Sequence, residues 1–432
     1  MCRLLLAIAV CAVSLAGAQA AEAGKGPAFR YTLVGHIGSK GTGPGQFPGI
    51  DGQGPSGIAV DQVCGDVYIG DLARHVVHHF DQNGKWLGDI GSPGSGRGQL
   101  DSPEGMSVRN PVVQPINPLG PPLTCAGSGF LWVADYSDNR VAVFDPAGTL
   151  GLGKGQVQAM WCNPKLGLTG CDIVSNDIDF YPDDVWAVGD RVFVSGRLSN
   201  TVREYTLGGT LVASAETNGA AYSVAVWGIN LWSTYGGNGS STVGLYGLNP
   251  SGPSIDLVHA FPWSLGGPFE GTTGLATGID GKLYVVDRAG LQVFSPSGRL
   301  YGTTKLPETF IANDIAVRYD GTVYITGARA HGALVYSPGP LVTLSRKSFT
   351  RTKIVLGGRV KPSHKHDRIV LQRAEGDGWH TFARLRLDAR SRFLYSWHPP
   401  RRLVHYRVRA FFKDPHRYHS DRASQILTVS TS

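Results

Sequence analysis

Three sets of residues in this chain could do chemistry. Glu104, Asp183, Asp184, Asn313 and Asp314 each stand just ahead of a short apolar run. Carboxylates and amides brought together from such positions would suit a hard cation such as Ca²⁺, which prefers oxygen ligands. His75, His78 and His79 lie in the run HVVHHF. Imidazole suits zinc, but adjacent residues on a strand face opposite sides, so only one of His78 and His79 could join His75. The third set is cationic: Arg384 and Arg386 alternate with leucines in FARLRLD, and Arg407 and Arg409 alternate with Tyr406, Val408 and Ala410 in HYRVRAF. Strand geometry turns each arginine set to one face, a surface fit for a polyanion. No GxSxG elbow and no HExxH helix accompanies these residues.

The elements that position them are short strands. From Pro55 to Gly91 the chain reads GIAV, VYIG, VVHHFD and KWLGDI, each run bounded by Gly, Asp or Asn, which predicts a four-stranded meander. The pattern returns at Glu104, and more loosely in four later stretches headed by DDVWAV, YSVAV, TGLAT and NDIAV. Ile58, Met106, Val224, Leu275 and Ile315 head units spaced mostly by roughly 40 to 50 residues, a propeller-blade period. Six units are counted, with a decayed seventh left open within residues 148–180. Meanders of this kind bury their faces by stacking around a channel. The sixth unit stops after three strands, so FRYTLVGHIG near the N-terminus is expected to complete it. The fold class is therefore all-β: a six-bladed β-propeller closed by an N-terminal strand, followed by a small β-sandwich. Aligning the units places Ser56, Glu104, Asp184, Tyr222, Thr273 and Asn313 at the channel mouth. Asp71, Asp135 and Asp287 end second strands, and their repetition predicts a structural carboxylate that accepts N–H bonds at the following turn.

The runs GSKGTGPGQF, VYIGD, HHFDQNGKWL, GSGRGQLDSPEGMSV and LWVADYSDNRVAVFDPAG resemble the NHL-repeat β-propeller family over residues 29–340, most closely in the first two repeats. That family includes protein-binding and RNA-binding propellers and a peptide-amidating lyase, so the resemblance implies the fold more than an activity. The turns SPEGMSV and IANDIAV are similar to metal-binding turns of gluconolactonase-type propellers. This similarity implies metal ligation by Glu104 and Asn313, with Asp184 the third member of the set. The amidating lyase holds zinc through channel histidines, and no histidine here heads a first strand.

Met1 to Ala20 carries an early Arg, an apolar run and the pattern Ala18-Gln19-Ala20, which predicts a secretory signal peptide cleaved near Ala20. The protein is thus expected to be secreted or at the cell surface, with no transmembrane segment in the mature chain. Four cysteines then remain in an oxidising compartment. Cys64 and Cys125 fall in equivalent inter-strand links and are expected to pair, pinning the Pro-rich insertion from Asn110 to Gly129. Cys162 and Cys171 are expected to close a local loop.

Composition changes near Pro340. Residues 341–432 hold 20 Lys and Arg against 6 Asp and Glu, a formal charge of +14, whereas residues 1–340 hold 20 and 27, or −7. Six strand-like runs in this tail predict an immunoglobulin- or fibronectin-III-like sandwich, and its run from GRVKPSHKH onward resembles modules appended to secreted bacterial proteins. Polarised charge and an absent catalytic pattern favour a binding or scaffold protein. Its ring would recognise a protein or glycan partner while the basic module attaches to an anionic cell-surface polymer, with no specific nucleic acid. The alternative is an exported propeller enzyme, a metal-dependent lactonase or esterase-like hydrolase or a lyase, acting at the channel mouth.

Overall fold

A computed structural model describes residues 31–49, 53–109, 129–148, 155–162, 171–174, 181–237, 240–249, 254–261, 263–264, 267–270, 274–288, 290–327, 330–350, 353–361, 364–376, 378–399, 405–413, 422–424 and 426–430. The expected signal peptide, Thr273, Cys125 and nearly all of the Pro-rich insertion lie outside the described residues. Among those described there is no helix, and so none long and apolar enough to cross a membrane.

Among the described residues, six sheets carry the meander pattern. Blade one pairs Pro55–Val60, Val67–Asp71, Val76–Phe80 and Trp86–Ile90 in sequence order, all antiparallel. Blade two runs from Pro103–Arg109 to Gln156–Cys162, blade three from Pro182–Val188 to Leu211–Glu216, and blade four from Ala220–Trp227 to Ile255–Phe261. Blade five runs from Gly274–Thr277 to Leu300–Thr304. Blade six has Ala312–Val317, Val323–Gly327 and Ala333–Ser337, and its fourth strand is Thr32–Ile37 from the other end of the chain. First strands of consecutive blades pack side by side, and Ala312–Val317 packs against Pro55–Val60, so the inner strands form a closed circle. Apolar side chains from neighbouring blades share cores: Tyr68 and Val77 of blade one pack with Leu131 and Phe144 of blade two.

Close approach of the inner strands explains three glycines. A Cβ at Gly57 would lie 1.7 Å from the Glu104 carbonyl oxygen, and one at Gly105 or Gly274 would meet Asp184 or Asp314. No side chain fits between these backbones.

The aspartates ending second strands act as the sequence suggests, with one variation. Asp71 accepts from the amides of Ala73 (3.0 Å) and Arg74 (3.2 Å), and Asp287 from that of Gly290 (3.2 Å). Asp135 instead accepts from Asp101 (2.9 Å) and Ser102 (2.8 Å), in the link that precedes its blade. Each also takes a buried donor from the third strand, and the donor differs: His78 for Asp71, Arg140 for Asp135, Gln292 for Asp287.

Cys162 and Cys171 form the expected disulfide, with Cα atoms 5.6 Å apart. Cys64 is buried.

The described residues between 341 and 430 form two further sheets around one apolar core that includes Leu356, Leu371, Trp397 and Phe412. One orders Leu341–Phe349, Ile354–Lys361 and Arg392–Trp397. The other orders Gly378–Arg386, Arg368–Glu375 and His405–Phe412, with short strands beyond.

Candidate binding site at the channel mouth

Each first strand enters its sheet at the same level, and in five blades its pairing register breaks there, between Pro55 and Ile58, Pro103 and Met106, Pro182 and Asp184, Ala221 and Ser223, and Ala312 and Asp314. A bulge leaves an amide out of the ladder. Hydroxyls on the second strand satisfy it: Asp184 N–H donates to Ser195 Oγ and Ser223 N–H to Thr234 Oγ1, both at 3.1 Å.

Register also corrects the sequence alignment of the third unit. Asp184 pairs with Ser195 as Ser223 pairs with Thr234 and Asp314 with Thr326. Asp183, not Asp184, is therefore level with Tyr222 and Asn313. An extra residue in a bulge is invisible to alignment by pattern, and a one-residue slip exchanges the faces.

Asp184 and Asp314 tie adjacent blades together. Asp184 Oδ2 accepts from Val224 N–H (3.0 Å) and Ser223 Oγ–H (2.9 Å), while Oδ1 accepts from Val185 N–H (2.8 Å). Asp314 repeats the arrangement across the closing junction, with Oδ2 on Ile58 N–H (2.9 Å) and Oδ1 on Ile315 N–H (2.8 Å). Ser223 Oγ in turn accepts from Leu275 N–H at 3.2 Å. Asn313 donates through Nδ2 to Pro55 O at 2.8 Å, and Ser56 Oγ donates to Pro103 O. These side chains are spent as interblade staples.

Above them lies a residue the sequence reading missed. Arg197 follows the second strand of blade three, pairs with buried Asp183 and has Glu104 as a second carboxylate neighbour. Its guanidinium sits 4.6 Å from the centre of the Tyr136 ring and 5.5 Å from that of Tyr222. Tyr181, whose ring lies 5.4 Å from Tyr136, accepts Arg197 N–H on its carbonyl at 3.2 Å. A signal did exist: Tyr136 and Arg197 both directly follow a second strand, LWVAD and RVFVSG, at the level where first strands begin.

Burial raises the pKa of every carboxyl here. Asp184 is pushed up to about 7 by burial, against the pull of its three donors. Asp183 is raised well above the usual carboxylate range by burial and by the neighbouring Glu104 and Asp184, with Arg197 pulling it back. Asp314 is raised by burial and by Asp184, and Glu104 by burial against Arg197.

As a ligand set for a hard cation, Glu104, Asp184 and Asn313 do not fit as they stand. Both Asp184 oxygens already accept N–H bonds, Asn313 is held by Pro55, and Glu104 faces a guanidinium. Among the described residues no three His, Cys, Asp or Glu groups gather around a common point. The histidines of blade one take separate partners: His75 with Asp101 (3.3 Å), His79 with Asp66 (2.9 Å), and buried His78 between Asp89 (2.6 Å) and Asp71 (3.2 Å). Burial opposes charge on His78, yet those two carboxylates hold its pKa above the ordinary value.

The four arginines of the basic tail also separate. Arg384, Arg386 and Arg407 are exposed. Arg409 is half-buried, stacked 4.2 Å over Trp379 and donating from Nε to Gln372 Oε1 at 2.9 Å.

These shifts set a pH dependence. A carboxyl whose pKa is raised on folding stabilises the fold below its unfolded value, near 3.8, and that contribution is lost as pH rises through the folded value, about 7 for Asp184. His78 works in the same direction, its contribution full below 6.5 and lost above its raised folded value. Asp89, lowered by His78, works oppositely and loses its contribution on acidification below 3.8. Stability is therefore expected to fall between pH 5 and pH 8, with a slope of up to about 1.4 kcal/mol per pH unit for each proton released. Urea midpoints across that range check it. Asp184→Asn should flatten the slope whatever its effect on absolute stability; an unchanged slope would mean Asp184 does not titrate there.

No protein-family model matches the chain, and no curated protein matches it. Among solved structures it is similar to a gluconolactonase from Xanthomonas campestris, with 13% identity, TM-score 0.43, and 65% of this chain and 84% of that one covered. It is also similar to virginiamycin B lyase from Staphylococcus aureus, with 15% identity, TM-score 0.41, and 70% and 91% covered.

Proposed function

We propose that this is an exported NHL-like binding protein, whose channel mouth recognises a protein or glycan and whose basic tail module, an immunoglobulin-like sandwich, attaches it to an anionic surface. The observation that carries the reading is the division of labour at the mouth. Asp184 and Asp314 are consumed in holding blades together, while the guanidinium of Arg197, anchored on Asp183 and flanked by the rings of Tyr136 and Tyr222, sets charge and aromatic faces side by side. A guanidinium framed by rings suits recognition, since both it and the rings bind without large entropy loss. The charge of the tail supports attachment, and the first 20 residues support export.

The test is capture on an array of glycans and extracellular proteins, repeated with Arg197→Gln and Tyr222→Ala. Binding that falls at least about tenfold in both variants, a loss of about 1.4 kcal/mol, supports the mouth as the site. Equal binding by all three proteins overturns it. N-terminal sequencing of exported protein should begin near Ala21.

A second reading is an exported hydrolase or lyase. What favours it is the cluster of buried carboxyls with raised pKa, since catalytic acids are commonly tuned in this way. Turnover in a lactone and ester panel, lost in Glu104→Gln, would replace the binding reading.

A further inference from the structure

The outer face of the sheet made by Leu341–Phe349, Ile354–Lys361 and Arg392–Trp397 is not an ordinary solvated surface. Along its middle strand, Leu356 and Val360 point to the core, which turns Gly357 and Arg359 outward. Cross-strand register then aligns Thr343, Arg359 and Arg392 in one row, and Ser345, Gly357 and Leu394 in the next. Arg359 and Arg392 are directly opposed like charges, an arrangement that destabilises an antiparallel pair. Lys347 and Arg386 join them around a groove of about 610 Å³. Among the described residues none of these four cations has a carboxylate within ion-pair distance. The groove does contain Asp388, whose Oδ1 accepts from the amides of Arg390 and Arg392, each at 2.8 Å.

Two further features narrow the ligand. Ser345 Oγ donates to Gly357 O (3.2 Å), and Thr343 Oγ1 donates to Arg359 O (3.2 Å) while accepting from Arg359 N–H (3.0 Å). Both hydroxyl protons are used, so Ser345 in particular presents lone pairs to the groove, and lone pairs call for donors. Leu394 lies 68% exposed at its side, an apolar surface for the carbon face of a ring. Phosphate-only or sulfate-only ligands would satisfy the cations and leave the hydroxyl acceptors idle.

We infer that this groove binds an acidic polysaccharide, its carboxylates or sulfates on Lys347, Arg359, Arg386 and Arg392, and its hydroxyls donating to Ser345. The volume fits a short saccharide segment within the usual range of ligand pockets. This assignment rests on the reading that the tail attaches to an anionic surface, and it moves the contact from the face carrying Arg384 and Arg407 to the opposite sheet, with Arg386 shared.

The test uses the full mature chain and calorimetric titration with polygalacturonate and heparin oligosaccharides, against polyphosphate of matched charge. Wild type should bind an acidic glycan more tightly than polyphosphate. Arg359→Gln with Arg392→Gln, both exposed and safe to replace, should cost tenfold or more, while Arg384→Gln with Arg407→Gln should change binding less than twofold. Ser345→Ala should weaken glycan binding and leave polyphosphate binding unchanged. Glycan binding lost only in the Arg384 and Arg407 pair would keep the attachment reading and overturn the groove. Anionic vesicles or duplex DNA bound in place of glycans would overturn the ligand class. No polyanion bound by wild type would overturn the attachment reading and the groove together.

Discussion

Arg140→Met is expected to lower the unfolding free energy by about 3–5 kcal/mol, the scale seen when a buried charge network loses one partner. Arg140 has no exposed surface and uses its whole fork. Nε donates to Asp135 Oδ2 at 2.8 Å, Nη2 pairs with Asp138 at 2.6 Å and donates to the carbonyls of Gln99 (3.0 Å) and Gly94 (3.3 Å), and Nη1 donates to Ser95 O. Methionine fills comparable volume but leaves Asp135 and three carbonyls short of a donor and Asp138 without its counter-charge. Lysine cannot repair this, because one ammonium cannot span a fork aimed at both strand and loop. The loss should also grow with pH. Burial already raises Asp135 and Arg140 pulls it down, so without Arg140 its folded pKa rises further and more stability is lost on going alkaline. Guanidinium titrations at pH 6 and pH 8 measure both effects; a change below about 1 kcal/mol at both would mean the network is dispensable.

That loop shows why much of the ring was legible. GSKGTGPGQF and GSPGSGRGQL fold alike, with Gly41 N–H on Phe47 O (3.0 Å) and Gly94 N–H on Leu100 O (3.1 Å), and Gln46 and Gln99 accepting the amides of Gly43 (2.9 Å) and Gly96 (2.8 Å). Gly41 and Gly94 have positive φ, and a Cβ on either would strike the glutamine. Every partner is within six residues, so the repeat betrays the structure. The same holds for the turn amides that Asp71 and Asp287 accept. Asp135 reaches 34 residues back, and its use could not be read locally.

The mouth was harder for the same reason. Arg197 gains its meaning from Tyr136 and Glu104, far away in sequence, and a cation has no place in a pattern of ligating carboxylates. The bulge in blade three then moved Asp184 by one position. In the tail, alternation gave inside and outside correctly for Arg407 and Val408, but strand order stayed hidden. Arg368–Glu375 lies between the two arginine strands, and its Gln372 takes Arg409 out of the exposed set. Only sheet register makes Arg359 and Arg392 neighbours, so local sequence does not show them as a pair.

Replacing residues 31–37 with a Gly-Ser linker of equal length should have the largest effect of all, loss of a single cooperative unfolding transition for the ring. Thr32–Ile37 supplies five paired positions to Ala333–Ser337. Ile37 belongs to the core between blades six and one, and Tyr31 to the core between blades five and six. Tyr31 also donates its amide to Thr304 Oγ1 (3.0 Å) and its hydroxyl to Tyr284 (3.2 Å), so one short segment touches three blades. Burying Ile37 alone is worth about 1.5–3 kcal/mol. The remainder follows from topology: without this strand, blade six ends in an unpaired edge, and only the inner strands, through Asp314 on Ile58 and Asn313 on Pro55, still join it to blade one. Gly332→Val attacks the same junction without touching the strand. Gly332 has a φ of +131° and a Cβ there would lie 1.8 Å from Ile37 O, so a side chain forces the two strands apart. Tryptophan fluorescence during urea unfolding should show a lower midpoint and a shallower slope for both variants, because less surface is buried in what remains. A peptide spanning residues 29–40 added in excess should restore part of the linker variant's stability and none of Gly332→Val's, whose receiving edge is itself distorted. An unchanged midpoint in the linker variant would mean the ring is held by its inner strands alone, and Asp314 on Ile58 would then carry the closure.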